Sequence, residues 1–389
     1  MRCALTCLLE IDRRLLVAPV LLVLTLGTPL IAYDDFSKQQ PAPRPELAPG
    51  ANLYWHQPGS GWEEGCDEVI QTDWFGRLPH WYAQADLQTL RRDNLRSFDF
   101  ASLGERGPRT LSSGGLDDQF KGGTRILVGV ALGDWYRLEG SYYGAFHWSD
   151  SAALRNIDPN GQNGLGNLMS PFSDFGYPPV TGLDFNNFAM IRLSSELDNV
   201  ELNLRRRIAL PPGPFEASFL VGVRYTRLDE DFTYTTDSGI PLPGGTLNDV
   251  VTSTKNEMIG IQIGMLTQWL VQPRSWIDFE VKGAACSNDA QLHTDFINVD
   301  ENGVATQYLG QDDKTVTAGI LDLSLLLNHQ FTRTLTFHVG YSAMWFGGVA
   351  LAPDNFVSSA DLLRLGPVQI NDKGRAVYHG PVIGLVGAW

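Results

Sequence analysis

Several things are scarce in this 389-residue chain, and each scarcity removes a class of function. Cysteine occurs four times, and Cys3 and Cys7 lack the second pair that a zinc site of their spacing needs. Cys66 and Cys286 stand about 220 residues apart and fall near opposite ends of the topology read below, so no disulfide between them is expected. Charge is low, at 19% of residues, and leans acidic, with 29 Lys and Arg against 44 Asp and Glu for a formal net charge of −15. The longest basic cluster is Arg205, Arg206 and Arg207, so no footprint for nucleic acid exists. Apart from 15–32, no apolar run approaches helix-spanning length, which excludes a helical membrane bundle. G-x-S-x-G, H-E-x-x-H, the Walker loop and G-x-G-x-x-G are all missing. Forty glycines and 11% aromatics make neither a disordered nor a coiled-coil composition.

The N-terminus sets the compartment. Arg13 and Arg14 precede the apolar stretch 15–32, which Pro19, Gly27 and Pro29 interrupt and Tyr33, Asp34 and Asp35 follow. This pattern predicts a secretory signal peptide over 1–32, with a single anchoring helix as the alternative. Pro41, Pro43, Pro45 and Pro49 make 33–52 an extended spacer, and the aperiodic stretch to His80 continues it, giving a Pro/Gly-rich periplasmic segment over 33–80.

From Trp81 onward the dominant period is two. In 124–148, Ile126, Val128, Val130 and Leu132 share one face, Gly133-Asp134 turns, and Tyr136, Leu138, Tyr142, Phe146 and Trp148 continue that face. Ten strands are predicted, with twelve as the alternative: 81–91, 124–132, 135–148, 187–207, 215–229, 254–269, 275–286, 315–329, 334–350 and 376–389. The fourth changes parity, because Ile191, Leu193 and Leu197 are odd whereas Val200, Leu202 and Leu204 are even. Asp198-Asn199 is therefore read either as a tight turn or as a β-bulge within one strand. Taken as a bulge, the connections alternate long and short without exception, 230–253 and 287–314 among the long ones. That is the connection pattern of an all-β, closed antiparallel transmembrane barrel, with long extracellular loops and short periplasmic turns over 81–389.

Two further signals agree. Tyr136 with Phe146, Phe215 with Tyr225, and Leu335 with Trp345 lie ten apart on the apolar face, a spacing that spans roughly 25 Å in a tilted strand, the height of a barrel's apolar band. Trp81, Trp135, Phe215, Trp269, Trp276, Phe331 and Trp389 all fall at the short-turn rim and are expected to form a membrane-interface girdle in contact with outer-membrane lipid. The opposite face carries Gln84, Asp86, Arg125, Arg137, Glu139, Glu201, Asn203, Arg205, Arg224, Gln262, Asp278, Glu280, Lys282, Asp322, Asn328 and His338. In a soluble sandwich these residues would face solvent; in a barrel in lipid they line the lumen, where both signs of charge pair.

The strings GLGNLMSPFSDFG at 164–176, LDFNN at 183–187, SELDNVELNLRRR at 195–207, GVRYTRLDEDF at 222–232 and GYSAMWFGGVALAPDN at 340–355 carry a resemblance. They resemble the β-barrel porin family abundant in planctomycete genomes and, more distantly, major outer-membrane proteins of Legionella type. The resemblance covers roughly 81–389, with VALAPDN its most specific part, and implies a bacterial outer-membrane barrel, porin-like and without catalytic residues. The first string falls in a long loop, so a structured extracellular or lumen-folded element is expected there. Ile383, Leu385 and terminal Trp389 share parity, resembling the aromatic-ended strand that barrel-assembly machinery reads.

No cofactor is implied. The seven histidines stand singly, and only His147 and His338 are placed to meet lumen carboxylates. An Asp/His pair at the rim of a ten-stranded barrel would resemble the omptin proteases, but a hydrogen-bonded lumen histidine is the simpler reading and no enzyme is expected. Asp158, Asn160 and Gln162, or Asp300, Glu301 and Asn302, offer oxygen ligands for weak divalent-cation binding, although neither group has EF-hand spacing. Two functions stay open: a porin passing small polar solutes or ions through a charged lumen, and a closed-lumen structural or surface-interaction barrel whose loops bind partners, since ten strands enclose little more space than the eight that side chains already fill.

Overall fold

The structure, a computed structural model, describes residues 81–389 apart from 95–96, 117–118, 157–165, 181, 212, 360, 362–363 and 365–367. The signal peptide, the segment 33–80, Cys66 and the oxygen-rich group at 158–162 lie outside the described residues. Among the described residues thirteen strands form: β1 (Trp81–Asn94), β2 (Asp99–Leu103), β3 (Arg109–Ser112), β4 (Lys121–Leu132), β5 (Tyr136–Arg155), β6 (Leu168–Met169), β7 (Phe188–Ile208), β8 (Phe215–Asp237), β9 (Leu247–Gln272), β10 (Ser275–Val299), β11 (Ala305–Gln330), β12 (Leu335–Val349) and β13 (Gly374–Ala388). Ten of them, all but β2, β3 and β6, close an antiparallel barrel in which β1 pairs with both β4 and β13. The ends of the chain's barrel meet at this seam, where the Trp81 and Trp389 backbones exchange hydrogen bonds of 3.3 and 3.0 Å. Closure leaves no strand edge facing lipid at that level, which the bilayer demands because it offers the backbone no other partners.

All ten expected strands are present, but several run further than the alternation of lipid-facing residues suggested. The connections expected as long loops at 230–253 and 287–314 are mostly strand: β8 pairs with β9 up to Asp237 and Leu247, and β10 with β11 up to Val299 and Ala305. These extensions keep period two but reverse its chemistry. Leu228, Phe232 and Tyr234 of β8 are buried inside, while Asp229, Asp231 and Thr233 face out.

The same reversal explains the parity change in β7, where the structure corrects the bulge. Phe188–Ile208 is one strand whose pairing with β8 is unbroken, and its odd residues point inward throughout, from Ile191 and Leu193 to Glu201, Asn203 and Arg205. What changes at Asp198 is the outer medium: Val200, Leu202 and Leu204 are exposed on the outer wall, as suits lipid, whereas above them the outward residues are exposed Arg192 and Glu196 and half-buried Asp198, as suits water.

A real irregularity sits on the neighbouring β5, between Tyr143 and Phe146, where Ala145 takes a φ of +61°. It turns Phe146 and Trp148 inward, correcting their placement on the lipid face, and turns His147 outward to meet Glu196 at 3.0 Å rather than any lumen carboxylate. Phe146 therefore drops out of the ten-residue ruler, which Phe215 with Tyr225 still obeys on the outer wall.

The long-loop end is filled from within. β2, β3 and β6 make a small sheet whose Phe100, Ala101, Leu111 and Leu168 pack against Ile191, Leu193, Phe232 and Tyr234 of the wall. Near the end of β12 the strand parts from β11 at Gly348, whose φ of +78° and 2.5 Å approach of a notional Cβ to the Thr317 carbonyl admit only glycine comfortably, and Val349 pairs only with Gly374 of β13. The following Ala350, Leu351 and Ala352 are buried in the mouth.

Candidate functional site: the barrel interior

The interior has two layers. At the short-turn end, strand alternation aims the sixteen polar residues named above inward from β1, β4, β5 and β7 to β12. Glu201 is the hub: it meets Arg224 Nη2 at 2.6 Å and Lys282 Nζ at 2.9 Å, and accepts from Asn199, Asn203 and Gln262. Asp322 takes a second contact from Arg224 and lies 3.8 Å from Lys282. A second group centres on Arg205, whose guanidinium reaches Glu139 at 2.8 Å and Glu280 at 2.7 Å, while Tyr82 donates to Glu139 at 2.6 Å. Gln84 donates to Asp86, which meets His338 at 3.0 Å. Gln84, Arg137, Asp278 and Asn328 line a cavity of about 80 Å³ with Tyr82 and Leu127. A second cavity of about 40 Å³ lies against Glu201, Lys282 and Asp322, and Arg125 borders both. Each is of a size for a few water molecules.

Above this lies an apolar layer that the lipid-facing pattern did not reveal. Leu90, Tyr143, Phe146, Trp148, Leu197, Leu228, Met258, Cys286, Ile320, Met344, Phe346 and Tyr378 pack together, contributed by nine of the ten barrel strands. Phe146 stacks on Trp148 at 5.3 Å between centroids, and Tyr378 meets Trp148 at 4.9 Å and Phe346 at 5.7 Å. Next to it Arg92 and Glu230 form a fully buried pair at 2.6 Å, and Glu230 also accepts from the Ala352 backbone N–H at 3.0 Å. Asn256 exchanges two 2.8 Å bonds with the Ala350 backbone, fixing the inward-folded chain after β12. The signal for this layer is present in sequence as even-numbered apolar residues in β13 and β12, Ala376, Tyr378, Met344 and Phe346, opposite in parity to the lipid-facing Tyr341, Ile383 and Leu385.

On the outer wall Trp81, Trp135, Phe215, Trp269, Phe331 and Trp389 are 45–63% exposed. Trp276 is a correction to the expected girdle: it is 4% exposed and points into the barrel, because it shares parity with Asp278, Glu280 and Lys282. At the opposite edge of the apolar band, Tyr142 donates to Asp198 at 2.6 Å and Tyr225 to Glu257 at 3.3 Å, while Tyr341 meets His379 at 2.5 Å. Between these edges β9 presents Ile259, Ile261, Ile263 and Met265 in an unbroken outward row. At the tip joining β10 and β11, Asp300 accepts from the Asn302 and Val304 N–H groups at 2.9 Å, bonds that hold its carboxyl below the usual carboxylate range. Among the described residues no group of three or more His, Cys, Asp or Glu is placed to hold a metal ion.

A closed ring of strands, an apolar outer band bounded by aromatics and a self-neutralising polar interior define a β-barrel of the outer-membrane type. The model of the family described as "Putative beta barrel porin-7 (BBP7)" matches residues 85–371, and this chain belongs to that family. No curated protein sequence matches it. Solved structures similar to it include the outer membrane protease OmpT of Escherichia coli, at 9% identity over 79% of this chain and 96% of that one with a TM-score of 0.40. They also include a FadL homologue of Pseudomonas aeruginosa, at 15% identity over 80% and 90% with a TM-score of 0.28. A third is the toluene transporter TodX of Pseudomonas putida, at 9% identity over 79% and 89% with a TM-score of 0.31.

Proposed function

We propose that this protein is a closed-lumen barrel of the bacterial outer membrane, exported by the signal peptide over 1–32, that acts through the wall and mouth it presents outside the cell. The observation that carries this reading is the apolar layer: it is built from strand side chains, so moving a loop aside would not clear a path. Ions and polar solutes crossing it would lose their hydration to Leu, Phe, Met and Trp with no polar replacement, a cost of several kcal/mol for a polar group and far more for an ion. The aromatic girdle would hold the barrel in lipid, and the strand ending at Trp389 would engage the assembly machinery. A charged extension after Trp389 is expected to slow membrane assembly.

A second reading, passage of small polar solutes or ions, draws on the polar layer and on the two cavities that meet at Arg125. Planar-bilayer recording decides between them. Protein whose heat-modifiable gel mobility shows a folded barrel should be electrically silent. Stepwise currents that change when Arg125 or Glu139 is reversed in charge would overturn the closed-lumen reading and establish a pore.

A further inference from the structure

The projecting wall ends in an open strand. Residues 319–330 of β11 pair with β12, but β12 parts from β11 after Gly347, and 305–318 of β11 pair only with β10. Among the described residues no strand covers the other side of 305–318. The stretch offers roughly 45 Å of edge at about 3.3 Å per residue, with half its backbone N–H and C=O groups directed away from β10. Its outward side chains, Gln307, Leu309, Gln311, Asp313 and Thr315, are all exposed, Leu309 at 65%. The chain after β12 touches the inner side: the Ile370 N–H donates to Asp312 at 2.8 Å and Lys314 meets Asp372 at 3.1 Å. The second contact pairs the Lys314 charge, while Asp313 stays on the outer face.

Two features argue for the occupant. Beside the edge, the outer face of β10 carries exposed Asp289, exposed His293 and half-buried Asp295, which accepts from Gln307 at 2.8 Å, so with Asp313 the carboxylates of this surface outnumber its basic groups. A second copy in the same membrane cannot supply the strand. Antiparallel pairing of an edge with itself needs a two-fold axis perpendicular to the sheet, and that axis would invert the second barrel in the bilayer. We propose that 305–318 is a docking edge for an extended, basic segment of a partner polypeptide outside the cell, taken up by β-strand addition, with Lys or Arg opposite Asp313 and an apolar side chain beside Leu309. The proposal rests on the reading of the barrel as one that works through its external wall, and it names where and with what chemistry.

The test uses the full-length folded protein in lipid vesicles and two fluorescent twelve-residue peptides of alternating Thr and Val, one bearing three Lys and the other three Glu at the same positions. The Lys peptide should bind at least about tenfold more tightly than the Glu peptide, and added salt should narrow the gap. Hydrogen exchange should show alternate amides of 305–318 exchanging fast in the free protein and protected by the Lys peptide. Neighbouring Thr315→Pro and Val316→Pro separate the edge from folding, because one of the two removes only an outward N–H and the other a ladder bond to β10. The variant that keeps native gel mobility should lose peptide binding. Equal binding of both peptides, protection of the edge amides before any peptide is added, or concentration-dependent pairing of barrels through the same amides would each overturn the proposal. None of these readouts depends on the lumen, so silence or current in a planar bilayer leaves them unaffected.

Discussion

Strand β7 passes through two environments, and its two halves obey opposite rules. Over 200–208 its outward residues are Val200, Leu202 and Leu204 and its inward ones Glu201, Asn203 and Arg205; over 190–198 the outward set is Arg192, Glu196 and Asp198 and the inward set Ile191, Leu193 and Leu197. The backbone is the same and the alternation continuous. Only the outer medium differs: lipid below rewards apolar atoms outside and leaves the interior to polar pairs, while water above returns the chain to the logic of a soluble β-protein. The lesson extends to β8 and β10, and the chemistry of the outer wall changes at the row of Tyr142, Tyr225 and Tyr341.

The largest expected effect tests the lower interior. Glu201→Ala leaves Arg224 and Lys282 without their shared carboxylate in a buried site, and a loss of about 3–5 kcal/mol is expected in reversible urea unfolding from lipid vesicles. If the lower interior were freely hydrated, the loss would fall below about 1 kcal/mol, the range of an exposed ion pair. Its counterpart in the apolar layer is Phe346→Ala, expected to cost about 3–4 kcal/mol by removing packing against Tyr378 while giving no conductance. A current from this single truncation would show the seal to be one side chain thick.

A paired substitution addresses the outer wall directly. Ile261→Lys, in the middle of the apolar band, should cost about 2–4 kcal/mol, whereas Thr233→Lys, on the same side of the wall above the boundary, should stay within about 0.5 kcal/mol of wild type. Similar costs at both positions would move the boundary or remove it. The smallest effect lies at the tip beyond β10. Because hydrogen bonding lowers the Asp300 pKa, its contribution is present above the unfolded carboxyl's pKa and is lost as pH falls through the lowered folded value. Protection of the Asn302 and Val304 amides, measured against their intrinsic exchange rates, should therefore fall in acid in the wild type and be low at every pH in Asp300→Ala, with no measurable change in global stability.

Much of the fold was legible because period two is local: it needs only neighbouring side chains and their preference for one side of a pleated strand. The ten strands, the short turns and the inward direction of residues such as Arg205 and Glu280 all follow from it, whereas 230–253 and 287–314, expected as loops, are mostly strand. The apolar layer was harder to see, because alternation shows that two faces differ without saying which faces in, and the answer reverses partway along a strand. Phe146 and Trp148 were harder still: the irregularity at 144–145 and the change of medium each flip the parity, so together they leave no trace in the sequence. Trp276 was legible from its shared parity with Asp278, because the side of a strand, not the nearness to a rim, sets which way a residue points.

By itself the sequence determined the class of architecture, since strands alternating over this length with short turns at one end have few arrangements that satisfy every backbone group in lipid. It also determined that charges of both signs would share one side of those strands. Only the tertiary structure decided that an apolar layer gathers inside the barrel, that the chain after Gly348 turns inward, and that 305–318 is left with an open edge. Those outcomes depend on which side chains from distant strands arrive at one level of the barrel and on where a neighbouring strand departs, and neither is encoded in any local period.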